Sequence, residues 1–204
     1  MCGRYLLDID IENLEVIYEI VNRGSIDANW RVTNPGRSVF PTNQVPVVLQ
    51  DRMGLMQWGY HLPSVKGPII NCRIESLMEK PFYNEALALR RVVVPASAYF
   101  EWRTINGPKA PYTIGMDSGL GLPMAGVYFK EKDGAGWAFA LVTTPSCGRI
   151  ATLHHRMPLL LNPEQLEIWR NRDLKLKPNH IEKWADQGAF EGFLKVTEGI
   201  QVAV

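Results

Sequence analysis

The chain has 204 residues, of which 46% are apolar and 21% charged, and its 22 Lys and Arg nearly balance its 21 Asp and Glu. This length can bury one sizeable core, so a single domain spanning residues 1–204 is expected. The near-zero net charge excludes a general electrostatic attraction to nucleic acid, and no apolar run reaches the ~18 residues of a membrane span.

The spacing of apolar residues predicts the first elements of the chain. Apolar side chains recur at helical intervals over residues 8–21, and Asn22 to Gly24 would stop that helix. Residues 45–49 are typical of a strand. A turn over 51–54 followed by an apolar return over 55–58 predicts a hairpin.

The rest of the chain alternates short apolar runs with Gly, Pro and Asp. Further strands are predicted at residues 69–70, 91–94, 98–102, 111–114, 124–129 and 137–142. Helices are predicted near 83–89, after the capping sequence Asn162-Pro163-Glu164-Gln165, and over 178–186. We therefore expect an α+β fold, a β-rich single domain whose antiparallel sheets curl into a barrel-like core flanked by a few helices.

Three cysteines, Cys2, Cys72 and Cys147, are an odd number without a CxxC spacing. This argues against a disulfide framework and against a thiolate zinc site, and neither a metal nor a cofactor is expected. The first residues lack the basic and apolar regions of a signal peptide. A cytoplasmic location is therefore expected, with association to the nucleoid when DNA is bound.

Cys2 could have unusual reactivity because it directly follows the initiator Met1. A cysteine near a terminus is most often a small buried hydrophobe or an exposed bystander. Removal of Met1, however, would place an α-amine with a pKa of about 7.7–8.0 on the same residue as a thiol. Such a 1,2-aminothiol can attack an aldehyde through nitrogen and close through sulfur to a five-membered thiazolidine, which no internal cysteine can do.

The segment 69–75 alternates apolar and polar residues. In an extended conformation, Asn71, Arg73 and Glu75 would share one face, and Cys72 would point to the apolar face with the core. The polar face could line a cleft. It could equally be the solvated face of an ordinary strand.

Two segments contain side chains suited to proton transfer. Glu101 lies within the aromatic run 98–102, where desolvation would raise its pKa towards the range of a general acid or base. His154 precedes His155 and Arg156. A structural role is also open for each, and a metal site is not expected because no second paired ligand motif is present.

Five motifs in this order resemble the SRAP family, the SOS-response-associated peptidases. They are Met1-Cys2-Gly3-Arg4, Trp58-Gly59, Asn71-x-Arg73-x-Glu75, Phe100-Glu101-Trp102 and His154-x-Arg156-Met157-Pro158. The resemblance covers residues 1 to about 169. It implies a β-rich fold with a groove for single-stranded DNA, and a processed N-terminal cysteine that crosslinks to the ring-opened aldehyde of an abasic site and shields the lesion.

The resemblance also implies roles for individual residues. Cys2 would be the nucleophile, Asn71 would hold the N-terminus or the sugar, Glu101 would be the acid/base, and His154 would assist sugar ring opening and crosslink reversal. Residues implied to contact DNA or to shape its pocket are Arg4, Trp58, Gly59, Arg73, Trp102, Thr143 and Arg156. A monomer that binds abasic single-stranded DNA without a cofactor or a membrane is expected, with a hydrolase or lyase type of classification.

Two other functions fit the same residues. Cys2 could act as the nucleophile of a thiol peptidase or amidohydrolase, in its minimal form cleaving its own Met1-Cys2 bond, although ordinary methionine removal would have the same result. A non-covalent single-stranded nucleic-acid module is the second alternative. The chain also departs from the family pattern at residues 37–42 and 60–65, where the path of the DNA would differ.

Overall fold

The computed structural model describes residues 2–32, 37–104, 107–116, 121–131 and 136–200. Met1, on whose removal the predicted chemistry depends, lies outside these residues. The described strands are β1 (Tyr5–Leu6), β2 (Ser38–Val39), β3 (Gln44–Leu49), β4 (Arg52–Trp58), β5 (Asn71–Arg73), β6 (Arg91–Ala96), β7 (Ala98–Thr104), β8 (Lys109–Met116), β9 (Leu122–Lys130), β10 (Trp137–Pro145), β11 (Arg156–Pro158) and β12 (Leu194–Glu198).

The described helices are mostly short. They are α1 (Ile11–Ile17), α2 (Ile74–Glu79), α3 (Pro81–Leu89), α4 (Gly148–Ala151), α5 (Pro163–Arg170) and α6 (Pro178–Ile181), with 3-10 turns at Glu182–Ala185 and Gly188–Phe190. Helix α5 begins with the predicted capping box between Asn162 and Gln165. None of the helices in the described part of the chain is long and apolar enough to cross a membrane.

Helix α1 is shorter than the predicted 8–21. It starts after Asp10, whose backbone is extended, and ends at Ile17. Glu19 then adopts a positive φ of 49°, which breaks the helical path. The apolar periodicity continued beyond the point where the backbone turned.

The larger sheet is closed into a barrel. Strands β10, β4, β3, β6 and β9 follow one another, and β9 pairs again with β10, so the five strands form a ring. Strands β5 and β11 are added to β10. The pairs of β10 with β4 and with β5 are parallel, whereas the other pairs are antiparallel. The expected β-rich fold with curled sheets is confirmed.

The smaller sheet is antiparallel and has the order β12-β8-β7-β1-β2. Its inner face packs in one buried cluster with the barrel, which includes Tyr5 and Tyr99 from the sheet and Val47, Phe139 and Leu141 from the barrel. A second cluster, under α1, α2, α3 and α5, lies on the other side of the barrel strands. The first cluster contains Cys2, so the N-terminal residue lies between the two sheets.

The segment 69–75 is extended only in part. Asn71–Arg73 form β5 with the predicted alternation, since Cys72 is buried and Arg73 exposed. From Ile74 the chain is helical, and Glu75 therefore lies in the first turn of α2 instead of continuing the strand face. The predicted shared face of Asn71, Arg73 and Glu75 is wrong for Glu75, because the helix-forming sequence up to Glu79 prevails over the period of two.

Candidate active site

Cys2 is fully buried and held by its neighbours. The Nδ2 group of Asn71 donates a hydrogen bond of 2.9 Å to the carbonyl oxygen of Cys2, across 69 positions of sequence. The Cys2 thiol donates to the carbonyl oxygen of Arg4 at 3.6 Å. Burial is the main cause that raises the pKa of this thiol far above its ordinary value. The sulfur is therefore a neutral thiol at physiological pH.

Asn71 reaches Cys2 because of the way β5 joins the barrel. Strand β5 lies parallel to β10, with Asn71 opposite Leu141, and the Ile70 carbonyl accepts a hydrogen bond from the Leu141 amide. This pairing fixes which side of β5 each side chain takes. Cys72 packs in the buried cluster under α1, α2, α3 and α5, called here the helical core. Asn71 points the other way, towards Cys2.

Glu101 brings a carboxyl group to the same side of the smaller sheet. It lies on β7, is 3% exposed, and shares its strand face with Tyr99 two residues earlier. Burial raises the pKa of the Glu101 carboxyl, and the charges of His155 and Lys109 are among those that oppose the rise. A carboxyl group with a raised pKa is suited to give and take protons near neutral pH.

His154 is held by the backbone of Arg156. Its Nδ1 lies 3.0 Å from the Arg156 amide nitrogen and 3.2 Å from the Arg156 carbonyl oxygen. Its ring stacks on His155 with centroids 4.3 Å apart. Burial lowers the pKa of His154, and Lys109 also lowers it. Lys109 thus lowers the pKa of both predicted proton-transfer groups, His154 and Glu101.

Arg156 is clamped in place. Its guanidinium donates to both carboxylate oxygens of Glu75, at 2.7 and 2.9 Å, and to the carbonyl oxygen of Thr143 at 2.6 Å. The Arg156 side chain is only 8% exposed, and Glu75 is 39% exposed. Hydrogen bonding to Arg156 lowers the pKa of Glu75. Arg73, in contrast, is exposed at the end of β5.

Trp58 lies in the same buried cluster as Cys2, and Gly59 follows it in the chain. The Trp58 ring is fully buried, donates from Nε1 to the Ile70 carbonyl at 2.9 Å, and lies 5.1 Å from the Tyr5 ring. A ring buried on both faces has no surface for a base, so only the pocket-wall role predicted for Trp58 is compatible with this position. Gly59 has φ of 103°, and a Cβ there would meet Pro68 at 2.9 Å, which requires glycine.

Arg4 and Trp102 lie on the other face of the smaller sheet. The Arg4 guanidinium donates to the Ser38 hydroxyl at 2.8 and 3.1 Å and lies between the rings of Phe40 and Phe100. Trp102 is beside Phe100 on the face of β7 opposite to Glu101. Both residues are thus separate from the cluster around Cys2.

Among the predicted site residues, Asn71 contacts Cys2 directly, and the Glu101 carboxyl acts on the pKa of the Cys2 thiol. Residues 1–193 match the family model of the SOS response associated peptidase, SRAP. The chain belongs to the SRAP family. The resemblance that the five motifs predicted is therefore confirmed.

Alignments with two abasic site processing proteins cover most of this SRAP chain. It is 27% identical over 186 residues to the abasic site processing protein YoqW of Bacillus subtilis, an alignment covering 84% of this chain and 80% of that protein. It is 29% identical over 189 residues to the abasic site processing protein YedK of Escherichia coli, covering 87% and 82%.

Solved structures share the SRAP architecture. A crystal structure of a Bacteroides thetaiotaomicron protein superposes with a TM-score of 0.77 at 21% identity and covers 97% of this chain and 91% of its own. A phage-related protein from Bordetella bronchiseptica gives a TM-score of 0.75 at 23% identity, with 98% and 95% covered. At these identities the likeness shows the fold alone.

Buried polar atoms without a hydrogen-bond partner among the described residues are concentrated at the SRAP site. They include Tyr5 Oη, Asn71 Oδ1, Tyr99 Oη, Thr143 Oγ1 and Arg156 Nε. Such atoms are costly to bury, and an ordered water, a ligand or a reaction can satisfy them. No group of three or more His, Cys, Asp or Glu within the described ranges could hold a metal ion.

Sequence reasoning missed Tyr5, Tyr99 and Lys109. Tyr99 could have been predicted from the sequence, because a period of two counted back from Glu101 places it on the same strand face. Tyr5 required the knowledge that β1 pairs with β7. Lys109 gave no local signal, since its effect on Glu101 and His154 arises only after the β7–β8 hairpin has formed.

Proposed function

We propose that this protein captures abasic sites in single-stranded DNA by forming a covalent thiazolidine crosslink through Cys2 after Met1 is removed. The observation that carries this proposal is the hydrogen bond from Asn71 to the Cys2 carbonyl, which fixes the position of Cys2, and the buried Glu101 carboxyl acts on the pKa of the same residue. The names of the relatives YoqW and YedK, both abasic site processing proteins, support the same lesion as the target.

The first step is attack by nitrogen. Burial keeps the thiol of Cys2 protonated, whereas a free α-amine with a pKa near 7.7–8.0 is partly unprotonated at neutral pH. The amine adds to the C1 aldehyde of the ring-opened sugar, and loss of water gives an imine. Glu101, with its raised pKa, supplies the proton for the departing water. Asn71 offers its Oδ1 atom, which lacks a partner among the described residues, to the amine.

The second step is ring closure by sulfur. The sulfur lone pair forms the C–S bond, the π electrons of the imine move to nitrogen, and the thiol proton is transferred to that nitrogen. One water is released for each thiazolidine formed. The free aldehyde is consumed, so the carbonyl group that promotes strand cleavage next to an abasic site is no longer present.

His154 assists the steps that open rings. The imidazole, whose Nδ1 lies against the Arg156 backbone, can donate a proton from Nε2 to the ring oxygen of the closed sugar as the aldehyde forms. The same group would serve reversal of the crosslink. Thr143 lies beside this region as a buried hydroxyl next to the carbonyl that Arg156 holds.

Phosphate groups would be held by exposed cations at the rim. Arg73 fits this role because its side chain is exposed next to Asn71. The family resemblance also implies a DNA contact for Arg156, but two of its nitrogens are engaged by Glu75. The support for phosphate binding is therefore stronger for Arg73, and Arg156 acts mainly to fix the position of β11 and His154.

The thiol peptidase alternative has less support. A peptidase cysteine needs a lowered pKa and a base that accepts its proton. The Cys2 thiol has a raised pKa and donates to a backbone carbonyl. Cleavage of the chain's own Met1-Cys2 bond stays part of the proposal as one route to the processed protein.

The deciding experiment uses intact-protein mass spectrometry with an abasic single-stranded oligonucleotide. Processed protein is expected to gain the mass of the oligonucleotide minus one water, without a reducing agent. Cys2→Ser keeps the α-amine and should give an adduct only when borohydride traps the imine, and Cys2→Ala should behave in the same way. A Cys2→Ala adduct that survives denaturing electrophoresis without reduction would disprove the mechanism.

Cys72→Ala is the matched control, because Cys72 is also a buried cysteine but lies in the helical core. It should crosslink like the parent protein. The same oligonucleotide annealed to a complementary strand tests the preference for single strands. Equal yields on single-stranded and duplex DNA would remove that part of the proposal.

A further inference from the structure

Two tyrosines form a pair beneath Cys2. Tyr5 on β1 and Tyr99 on β7 are directly opposite each other in the antiparallel pairing of these strands. Both are fully buried and belong to the same apolar cluster as Cys2. The rings thus stand side by side on the sheet face that also carries Glu101.

Both phenol hydroxyls lack a hydrogen-bond partner among the described residues. Burial raises the pKa of each phenol well above its ordinary value, and the nearby Cys2 sulfur adds to the rise in both. The two hydroxyls therefore lie within electrostatic reach of the sulfur. A buried hydroxyl without a partner costs free energy, which Phe at either position would avoid.

A tyrosine in the other core shows the ordinary arrangement. Tyr60 is also buried, and its hydroxyl is 2.6 Å from the hydroxyl of Tyr83, so its polar atom is satisfied within the protein. The contrast singles out the pair of hydroxyls next to the reactive sulfur.

We propose that the hydroxyls of Tyr5 and Tyr99 are positioning groups that donate hydrogen bonds to the Cys2 sulfur while the thiazolidine ring closes and reopens. This inference rests on the proposed function and extends it to residues with no assigned role. It explains how a thiol in an apolar cluster can carry negative charge in the course of the reaction.

The charge on sulfur changes in a defined way. On reopening, the electrons of the C–S bond move to sulfur, and the nitrogen lone pair forms the C=N bond of an iminium ion. Sulfur leaves as a thiolate, and the phenol O–H groups stabilise it until a proton is returned. On closure the thiol proton leaves sulfur, the C–S bond forms, and nitrogen takes up the proton. The phenols donate hydrogen bonds while sulfur bears negative charge, and they lose no proton.

The test follows ring closure on processed protein with formaldehyde as the probe, so that DNA binding plays no part. Borohydride adds two hydrogens to an imine and none to a thiazolidine, and mass spectrometry separates the two. Tyr5→Phe and Tyr99→Phe should each slow conversion of imine into thiazolidine about tenfold, which is the loss expected for one hydrogen bond to a charged group. The double variant should be slower still.

Tyr60→Phe is the control, because it removes a buried hydroxyl in the other core. It should reduce the unfolding temperature without changing ring closure, whereas the variants at 5 and 99 should keep or raise the unfolding temperature. Ring closure at the parent rate in the double variant would overturn the inference. If the parent protein closes the ring with formaldehyde in a tyrosine-dependent way but forms no adduct with abasic DNA, the inference holds and the proposed function fails.

Discussion

The carboxylate of Glu75 accepts two hydrogen bonds, of 2.7 and 2.9 Å, from the guanidinium of Arg156. The two residues are 81 positions apart in sequence, and the pair ties the start of α2 to the start of β11. Arg156 in turn donates its amide to the Nδ1 atom of His154. The pair therefore helps to determine where the imidazole lies.

Replacement of Glu75 by Gln should destabilise the protein. The substitution leaves the guanidinium of Arg156 largely buried without its charged partner, and a loss of about 1–3 kcal/mol is expected after allowance for the partial exposure of Glu75. Urea unfolding at pH 7 measures this change. Because Glu75 has a lowered pKa, its contribution is present above the unfolded pKa and is lost as the pH falls through the folded pKa.

Glu85→Gln is the matched control for Glu75. Its ion pair with Arg90 has the same 2.7 Å distance, but the Glu85 side chain is 58% exposed. An exposed pair adds little to stability, so the unfolding curve should not move. Equal losses of unfolding free energy in the two variants would show that the Glu75–Arg156 pair stabilises the protein no more than an exposed pair does.

Asn71→Asp should slow crosslinking to abasic DNA by at least tenfold. The substitution keeps the shape of the side chain but removes the N–H donors, so the bond to the Cys2 carbonyl is lost at a cost of about 1 kcal/mol. A second carboxylate also enters the region of Glu101. The initial rate of adduct formation on denaturing gels measures the effect.

Asn84→Asp provides the comparison, since Asn84 Nδ2 also donates to a backbone carbonyl, that of Leu77, in the helical part of the molecule. It should lose similar stability but crosslink normally. A normal rate in Asn71→Asp would mean that the contact to Cys2 is only structural.

Glu101→Gln should lower the rate of adduct formation and raise the stability of the fold. Burial raises the pKa of Glu101 in the folded state, so the stability linked to its protonation is present below the unfolded pKa and is lost as pH rises through the folded pKa. The Gln variant should therefore melt at a higher temperature than the parent at pH 8, with a smaller difference at pH 4. Adduct formation should fall by about 100-fold. Glu12→Gln on the exposed side of α1 should change neither property.

His154→Asn should preserve the fold and slow reversal of the crosslink. The Asn oxygen can replace Nδ1 as the acceptor for the Arg156 amide, but nothing replaces Nε2. In the parent protein the neutral imidazole persists to a pH below its ordinary pKa of 6.5, because burial lowers the pKa. The reversal rate, followed as transfer to excess competitor DNA, should be lower in the variant and, in the parent, should rise as the pH falls through the lowered pKa of His154, because imidazolium is the stronger proton donor. A pH-independent rate equal in both proteins would exclude His154.

Arg73→Ala should weaken binding more at low salt than at high salt. Each phosphate contact on single-stranded DNA contributes about 0.7 to the slope of the logarithm of affinity against the logarithm of salt concentration, and the variant should lose about that much. Fluorescence anisotropy with an intact oligonucleotide measures the slope. Arg52→Ala, at the far end of β4 from Trp58, should leave it unchanged.

Local sequence patterns were sufficient to predict many of the strands and helices and to select the candidate site residues. Alternation over residues 71–73 placed Cys72 in the core, and the capping box at Asn162 located α5, because both depend on neighbours in sequence. The error at Glu75 has the same origin. The period of two continued into residues that form a helix, and only competing local preferences separate the two outcomes.

The sequence by itself determined the proposed reactive group, since removal of Met1 would leave an aminothiol at residue 2, and it determined the types of residue available for acid, base and phosphate contacts. The tertiary structure decided which of them meet. The parallel pairing of β5 with β10 brings Asn71 to Cys2, the pairing of β1 with β7 sets Tyr5 beside Tyr99, and the approach of β11 to α2 joins Arg156 to Glu75. These contacts join segments far apart in the chain, and burial changes the pKa values of Cys2, Glu101 and His154 only once the sheets have closed around them.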